Sequence, residues 1–343
     1  MGYKLALFIF CVVYLFMEGL FMIIDELKKK IKGKNKVLVL PEGDDIRILK
    51  AAVRLNNESL CKPLLLGEVD KINELARNND LNVEGIEILN PIEDNEFDNN
   101  VNKMYEIRKG KNTVEECRKL LTGRNYYAIM LLCTGRADAA LGGATYSTAD
   151  TIRPALQIIK TKEGCKIVSS CFAMLKENSP TLIFADCAVN VNPSSEQLCD
   201  IAVSSVETAR LFGVEPNVAF LSFSTKGSAQ SEEVSKVSNA VELMKERNVD
   251  FNYDGELQFD AAYDRLTGEK KAPSSPVAGK ANVFIFPDLQ SGNIGYKIAQ
   301  RLGGYEAVGP ILQGVKMPVN DLSRGCNEEE VYKMAILSIS QSL

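Results

Sequence analysis

Histidine is absent from this 343-residue sequence. Its absence excludes Ser-His-Asp triads, zinc sites built on histidine and every imidazole base. Any group that transfers protons must therefore be Asp, Glu, Lys, Tyr or Cys. A basic excess is also lacking, because 40 Lys and Arg stand against 45 Asp and Glu, a formal net charge of -5. Nucleic acid is therefore not expected as a partner, whereas a small anion held by a few local arginines stays open.

Paired cysteine spacing is the third feature that the sequence lacks. The nine cysteines are scattered from Cys11 to Cys326 without a repeated interval. An odd, unpatterned set in a long chain is typical of reduced thiols in an intracellular protein rather than of a disulfide framework. We therefore expect a cytoplasmic location.

The first 21 residues differ from the rest of the chain. Residues 5–17 are almost all apolar, a run of about 13 residues where a spanning helix needs roughly 20. The interpretation that we favour is a start codon placed too early, with Met22 as the true first residue. A membrane anchor that carries Glu18 into the bilayer is a second interpretation. A signal peptide flanked by Lys4 is a third, although no small-x-small cleavage site follows.

Downstream, short apolar runs alternate with helical patterns, and the chain is long enough for two domains. Strands separated by helices predict parallel α/β layers. The runs predicted as strands are residues 36–40, 63–66, 86–89, 166–172, 181–185, 218–222 and 282–286. The clearest helices are 194–212, which Ser194 starts and Gly213 stops, and 231–246. Residues 267–279, rich in Ser, Pro and charge, are expected to form a long loop within a domain.

Four loops have the composition of ligand sites, which in open α/β sheets lie beyond the carboxyl ends of strands. In residues 141–157, small residues precede a helix in which Arg153 offers a planar fork to a phosphate. The alternative there is a tight turn capped by Ser147 or Thr148, with Arg153 solvated. Residues 222–229 and 286–296 carry weaker signals, and the former lack the full P-loop pattern.

The fourth loop, residues 318–330, is the densest in reactive groups. It contains Asp321, Ser323, Arg324 and Cys326 just before the last helix. Cys326 is either a reactive thiolate or, more commonly for such a residue, a buried structural thiol. Glu330 stands three residues after Asn327, so a capping box is the alternative to a catalytic role for this carboxylate.

Several long strings resemble, in the right order, motifs of the phosphate acetyltransferase family, and the resemblance extends from about Met22 to the C-terminus. The strings are residues 40–44 (LPEGD), 147–160 (STADTIRPALQIIK), 222–229 (SFSTKGSA), 255–262 (GELQFDAA), 275–297 (SPVAGKANVFIFPDLQSGNIGYK), 309–314 (GPILQG) and 318–326 (PVNDLSRGC).

The resemblance implies two three-layer α/β domains of the isocitrate/isopropylmalate dehydrogenase-like kind, with the active site in an interdomain cleft. By analogy the C-terminal segment returns to the first domain, so we expect residues 22–163 plus 310–343 as one domain and 164–309 as the other. Residues 1–21 form the extension outside them, and membrane association is expected only if that extension is real. A homodimer is the assembly that the resemblance implies.

The family's motifs place its active-site serine and arginine at Ser323 and Arg324, and its catalytic carboxylate at Glu330. Further residues resemble those that the family uses around phosphate and coenzyme A, namely Arg108, Arg153, Arg301, Ser147 and Thr148. The family's aspartate is replaced here by Glu330, which is one methylene longer, and the histidine common before STAD is replaced by Tyr146.

The implied activity is acetyl transfer between acetyl phosphate and coenzyme A, by direct thiolate attack in a ternary complex. Coenzyme A is a substrate in this reaction, which needs neither a metal nor a redox cofactor. An acylated Cys326 is a minor alternative. Phosphate butyryltransferase and a non-catalytic acetyl-CoA-sensing module are the alternative functions, and a dehydrogenase of the same fold is disfavoured because no dinucleotide fingerprint is present.

Overall fold

The computed structural model describes residues 18–343. The apolar run 5–17, with the start-site and anchor interpretations attached to it, lies outside the described residues. Helix α1 (Glu18–Ile31) is the first described element. Within the described part of the chain, no helix has both the length and the apolar character needed to cross a membrane.

The described chain forms two compact α/β units. The first comprises Glu26–Gly164 and Val315–Leu343, and the second contains Cys165–Gly314. Each unit holds one sheet with helices around it, so the predicted pair of α/β domains is confirmed.

The first unit contains a five-stranded sheet in which every pairing is parallel. Its strands are β1 (Val37–Leu40), β2 (Lys62–Leu66), β3 (Glu87–Leu89), β4 (Ala139–Gly142) and β11 (Val319–Asp321), and their order is β11-β4-β1-β2-β3. The strands β1, β2 and β4 are almost wholly buried, as expected for parallel strands that are covered on both faces. The strand β11 comes from the C-terminal part of the chain and pairs with β4, with Val319 opposite Ala140.

Seven helices follow these strands in the first unit. They are α2 (Ile46–Asn57), α3 (Val69–Asn78), α4 (Phe97–Arg108), α5 (Val114–Leu121), α6 (Arg124–Cys133), α7 (Thr148–Ile158) and α13 (Glu328–Ser340). The helix α13 packs against α2 and against strands β1 and β4. Its apolar residues are buried, among them Tyr332, whose ring also lies under the Arg54 guanidinium at 3.6 Å. The core of this unit therefore includes the C-terminal helix.

The second unit contains a six-stranded sheet of mixed direction. Its strands are β5 (Ser169–Leu175), β6 (Leu182–Ala185), β7 (Asn217–Leu221), β8 (Asn252–Leu257), β9 (Val283–Ile285) and β10 (Glu306–Gln313), in the order β10-β5-β6-β9-β7-β8. The pairs β10–β5 and β5–β6 are antiparallel. The other pairs of this sheet are parallel, as the predicted parallel layers require. The antiparallel edge arises because β5 and β6 are joined by a short turn rather than by a crossover helix.

The helices of the second unit are α8 (Ser195–Leu211), α9 (Glu232–Met244), α10 (Phe259–Tyr263), α11 (Arg265–Lys271) and α12 (Leu289–Arg301). A capping box between Ser194 and Gln197 starts α8, and Gly213, with φ of +71°, follows its end. The prediction of a long loop over residues 267–279 was wrong for its first part, because helix α11 extends to Lys271. The Asp264 carboxylate caps this helix by accepting the Thr267 N–H.

Candidate functional site

The candidate site lies at one edge of the first unit's sheet. The strands β11, β4 and β1 are parallel neighbours, so their carboxyl ends meet at the same edge. The loops that follow them are residues 41–45, 143–147 and 322–327. The loop after β11 is tied to the end of β4 by a backbone hydrogen bond, in which the Leu322 N–H donates to the Gly142 carbonyl at 2.7 Å. Residues far apart in the sequence thus form one cluster.

Glu42, directly after β1, holds the loop that follows β4. Its buried carboxylate accepts the backbone N–H groups of Gly143 (2.8 Å), Ala144 (3.0 Å), Thr145 and Tyr146 (3.1 Å). The Thr145 hydroxyl donates to the same side chain at 2.6 Å. Four consecutive backbone N–H groups therefore donate to one carboxylate. This carboxylate satisfies N–H groups that lie beyond the end of β4, where no neighbouring strand of the described chain accepts them.

Asp321, the last residue of β11, is a second buried carboxylate, and the loop passes close to it. Gly143 has φ of +104°, and a Cβ at that position would overlap Asp321 and the Leu322 backbone. The Thr148 hydroxyl donates to Asp321 Oδ2 at 2.7 Å, while Oδ1 is buried and has no hydrogen-bond partner. Burial raises the pKa of Asp321 to about 6, and the charge of Glu42 contributes to this rise, against the bonds from Thr148 and Thr151.

Arg47 connects the first loop to the other two. Its guanidinium is paired with Asp45 at 2.7 Å. It also donates to the carbonyls of Ala144, Arg324 and Cys326, each at 2.9 Å. A rigid planar donor that contacts three backbone carbonyls fixes the relative positions of residues 144 and 324–326.

The predicted pair Ser323 and Arg324 lies in an exposed turn at this edge. The Ser323 hydroxyl accepts the Gly325 N–H at 3.3 Å, and the Arg324 carbonyl is held by Arg47. Both side chains therefore stand at the surface on a backbone that Arg47 restrains.

Cys326 follows that turn and is buried. Burial raises the pKa of its thiol to about 11, and the negative charges of Glu330, Asp45 and Glu42 add to the rise, although Arg47 opposes it. A thiol with such a pKa is protonated near neutrality, which argues against an acylated Cys326.

Glu330 forms the predicted capping box. Its N–H donates to Asn327 Oδ1 at 2.9 Å, and its Oε2 accepts the Asn327 N–H at 2.9 Å. The carboxylate is nevertheless near enough to raise the pKa of Cys326. The box thus orients Glu330 beside the Ser323–Cys326 turn, so the cap and the predicted role as a base are compatible.

The remaining predicted residues of this unit surround helix α7. Ser147 is its N-cap, and its hydroxyl contacts Asp150 Oδ2 at 2.7 Å. Arg153 is more than half exposed and lies 3.5 Å from Asp150. Arg108, the last residue of α4, donates to Asn112 and to the Gln157 carbonyl of α7. Arg153 thus lies on α7 and Arg108 contacts the same helix from the end of α4, and the Arg153 guanidinium is open to solvent.

An open pocket of about 580 Å³ lies beside the loop that Glu42 holds, and Tyr146 is part of its wall. It is lined by Asp44, Asp45, Thr122, Gly123, Arg124, Thr145 and Tyr146. Arg124 is paired with Asp44 at 2.7 Å. Burial raises the pKa of the Tyr146 phenol, so this residue is not a base near neutrality.

Arg301, the last predicted residue, is exposed at the end of α12 in the second unit.

The sequence motifs assigned no role to Glu42 or Arg47. A usable signal existed for both, because LPEGDD follows a buried strand directly and places an acid where parallel sheets bind ligands. Nothing local indicated the partners of these two side chains.

Residues 22–339 match the family described as phosphate acetyl/butaryl transferase. The chain is 50% identical to a phosphate acetyltransferase of Bacillus subtilis, over 95% of this chain and 100% of that protein. A phosphotransacetylase structure from Streptococcus pyogenes is 49% identical with a TM-score of 0.91, covering 94% of this chain and 98% of that one. A branched-chain phosphotransacylase from Enterococcus faecalis, 18% identical over 90% of this chain and 99% of that one, shares the fold with a TM-score of 0.66.

Proposed function

The chain belongs to the phosphate acetyl/butaryl transferase family, and we propose that it transfers acetyl groups reversibly between acetyl phosphate and the thiol of coenzyme A. The observation that carries the proposal is its identity of about one half with phosphate acetyltransferases across nearly their whole length. The acyltransferase class follows from the same relatives.

The reaction proposed is a direct displacement in a ternary complex. The coenzyme A sulfur attacks the acetyl carbonyl carbon, the bond between that carbon and the phosphate oxygen breaks, and inorganic phosphate leaves. The thiol proton passes to a carboxylate, for which Glu330 is our candidate because its cap orients it at the Ser323–Cys326 turn. Coenzyme A is consumed as a substrate, and the scheme uses no metal or redox cofactor.

Charge develops on the leaving phosphate and on the carbonyl oxygen. Preorganised donors at such points stabilise the transition state by about 2.7 to 4 kcal/mol each. We assign Arg324 and Arg153 to the phosphate and Ser323 to the carbonyl oxygen. Their exposure supports this assignment because an incoming substrate can reach them. Arg108, Arg301, Ser147 and Thr148 are proposed to contact the substrates.

We also propose a homodimer in the cytoplasm. The apolar residues Ile294 and Ile298 of α12 and Leu302, its C-cap, follow one another at helical spacing and are 57%, 54% and 84% exposed. An apolar stripe of this kind supports pairing with a second copy. Sedimentation velocity of the purified protein tests the assembly, and a monomer at micromolar concentration would contradict it.

The proposed cytoplasmic location is supported by the described cysteines, which are free thiols and suit a reducing compartment.

The decisive experiment measures acetyl-CoA formation from acetyl phosphate and coenzyme A, with butyryl phosphate in parallel. We expect faster turnover with acetyl phosphate. Faster turnover with butyryl phosphate would favour the butyryltransferase alternative. Binding of acetyl-CoA without turnover of either acyl phosphate would instead indicate a sensing module.

A further inference from the structure

The Glu42 side chain connects two loops of the candidate site, the one after β1 and the one after β4. Glu42 directly follows β1, yet these hydrogen bonds go to residues 143–146, about a hundred positions later in the chain. The residue is only 2% exposed. An amide in its place would offer one acceptor oxygen and turn an NH₂ group towards backbone donors.

The loop that Glu42 holds leads directly into predicted substrate contacts. Residue 146 is followed by Ser147, the N-cap of α7, and by Thr148, which is bonded to Asp321. On the other side of the loop, the Ala144 carbonyl accepts from Arg47, which also holds the carbonyls of Arg324 and Cys326. A shift of residue 144 would therefore change contacts to both the α7 cap and the turn that carries Ser323.

We propose that Glu42 is a positioning residue for acetyl transfer, whose carboxylate sets the conformation of residues 143–146 and through them the placement of Thr148 and the Ser323–Cys326 turn. The proposal rests on the proposed function. Glu42 contacts no reacting atom in this scheme. Its effect reaches the substrates through the loop, and misplacement of about 1 Å can cost an enzyme on the order of a hundredfold in rate.

The control is Asp138, a less buried carboxylate that also connects the β1 and β4 segments, at the amino ends of these strands. Its carboxylate precedes β4 and accepts the Val37 N–H at the start of β1, and also Lys36 Nζ, both at 2.8 Å. Asp138→Asn therefore perturbs a carboxylate bridge between the same two strands, away from the loops after them. If lost stability alone lowered kcat, kcat would fall in both variants.

The test compares Glu42→Gln and Asp138→Asn in the full chain by kcat, KM for each substrate, melting temperature and amide exchange. For Glu42→Gln, assayed while fully folded, we expect kcat to fall at least about tenfold and amides 143–146 to exchange at least about tenfold faster. Asp138→Asn should keep kcat within about twofold of the wild type despite a lower melting temperature.

A kcat for folded Glu42→Gln within about twofold of the wild type would overturn the proposal and leave Glu42 a purely structural residue. If Glu42→Gln does not fold, Glu42→Asp decides. This variant keeps the charge but withdraws the oxygens by one methylene, so a kcat close to that of the wild type would overturn the proposal equally. A wild type that forms no acetyl-CoA would overturn the proposed function and this role together. If the wild type forms acetyl-CoA and the folded Glu42 variants keep its kcat, this role alone would be overturned.

Discussion

Removing the buried charge of Asp321 should change how stability depends on pH. The perturbation is Asp321→Asn, which keeps the shape of the side chain and an oxygen that can accept from Thr148. In the wild type, burial beside Glu42 raises the pKa of Asp321 from 3.8 to about 6. The folded protein therefore holds this proton more tightly than the unfolded chain does, so the contribution of Asp321 to stability is greatest at low pH.

The expected magnitude follows from the difference between the two pKa values. At about 1.4 kcal/mol for each pKa unit, the wild type loses about 3 kcal/mol in total as the pH rises from below 3.8 to above 6. Of this, about 2 kcal/mol falls between pH 4.5 and 8, a range in which urea titrations are practical. The asparagine variant has no charge to bury at either pH.

The assay is equilibrium unfolding in urea of both proteins at several pH values. Other titrating groups cancel when the two free energies of unfolding are subtracted, provided that they respond alike in both proteins. We expect the difference to move in favour of Asp321→Asn by about 2 kcal/mol between pH 4.5 and 8. A difference that stays constant, or that moves in favour of the wild type, would refute the account of Asp321 as a carboxyl destabilised by burial.

Three further substitutions test the site and the fold. Arg324→Ala should lower turnover by at least about a hundredfold without changing the melting temperature, because it removes the donor that we propose for the charge on the leaving phosphate. Near-normal steady-state rates would show that this assignment is wrong. Glu330→Gln should abolish most activity while keeping the cap, and Glu330→Asp should retain substantial activity; a fully active glutamine variant would leave Glu330 as a cap only. Ser194→Ala should lower the free energy of unfolding by about 1 kcal/mol in denaturant titrations, because it removes the Ser194 hydroxyl from the α8 capping box. It should leave kcat unchanged, and an unchanged unfolding midpoint would contradict the role of this cap.

Local patterns were sufficient for the elements in which one short stretch carries its own signal. The apolar run before LPEGD predicted β1, and the structure gives Val37–Leu40. Ser194 and Gly213 predicted the limits of α8, because capping and the αL position are properties of a few adjacent residues. The capping box at Asn327 and Glu330 was confirmed for the same reason.

The strand β8 shows where such patterns fail. Its residues NYDGEL alternate only weakly, because Gly255 stands between Tyr253 and Leu257, and two of the polar positions are acids. No strand was predicted there. In the structure Asp254 bonds with Lys226, while Glu256 accepts the Ser224 hydroxyl at 2.9 Å and the Gly227 N–H at 2.7 Å. Acids can be buried in a strand when partners from another segment satisfy them, and those partners are invisible in a local window.

The sequence by itself determined the alternation of strands and helices, because local patterns carry that signal. Its resemblance to the family's motifs indicated the family and the candidates Ser323, Arg324 and Glu330. The tertiary structure decided which distant residues meet. Glu42, Ala144 and Arg324 come together because β1, β4 and β11 are parallel neighbours whose carboxyl ends share one edge. Strand order and the side-chain partners across it depend on packing between segments separated by a hundred residues or more, and no local periodicity records that choice.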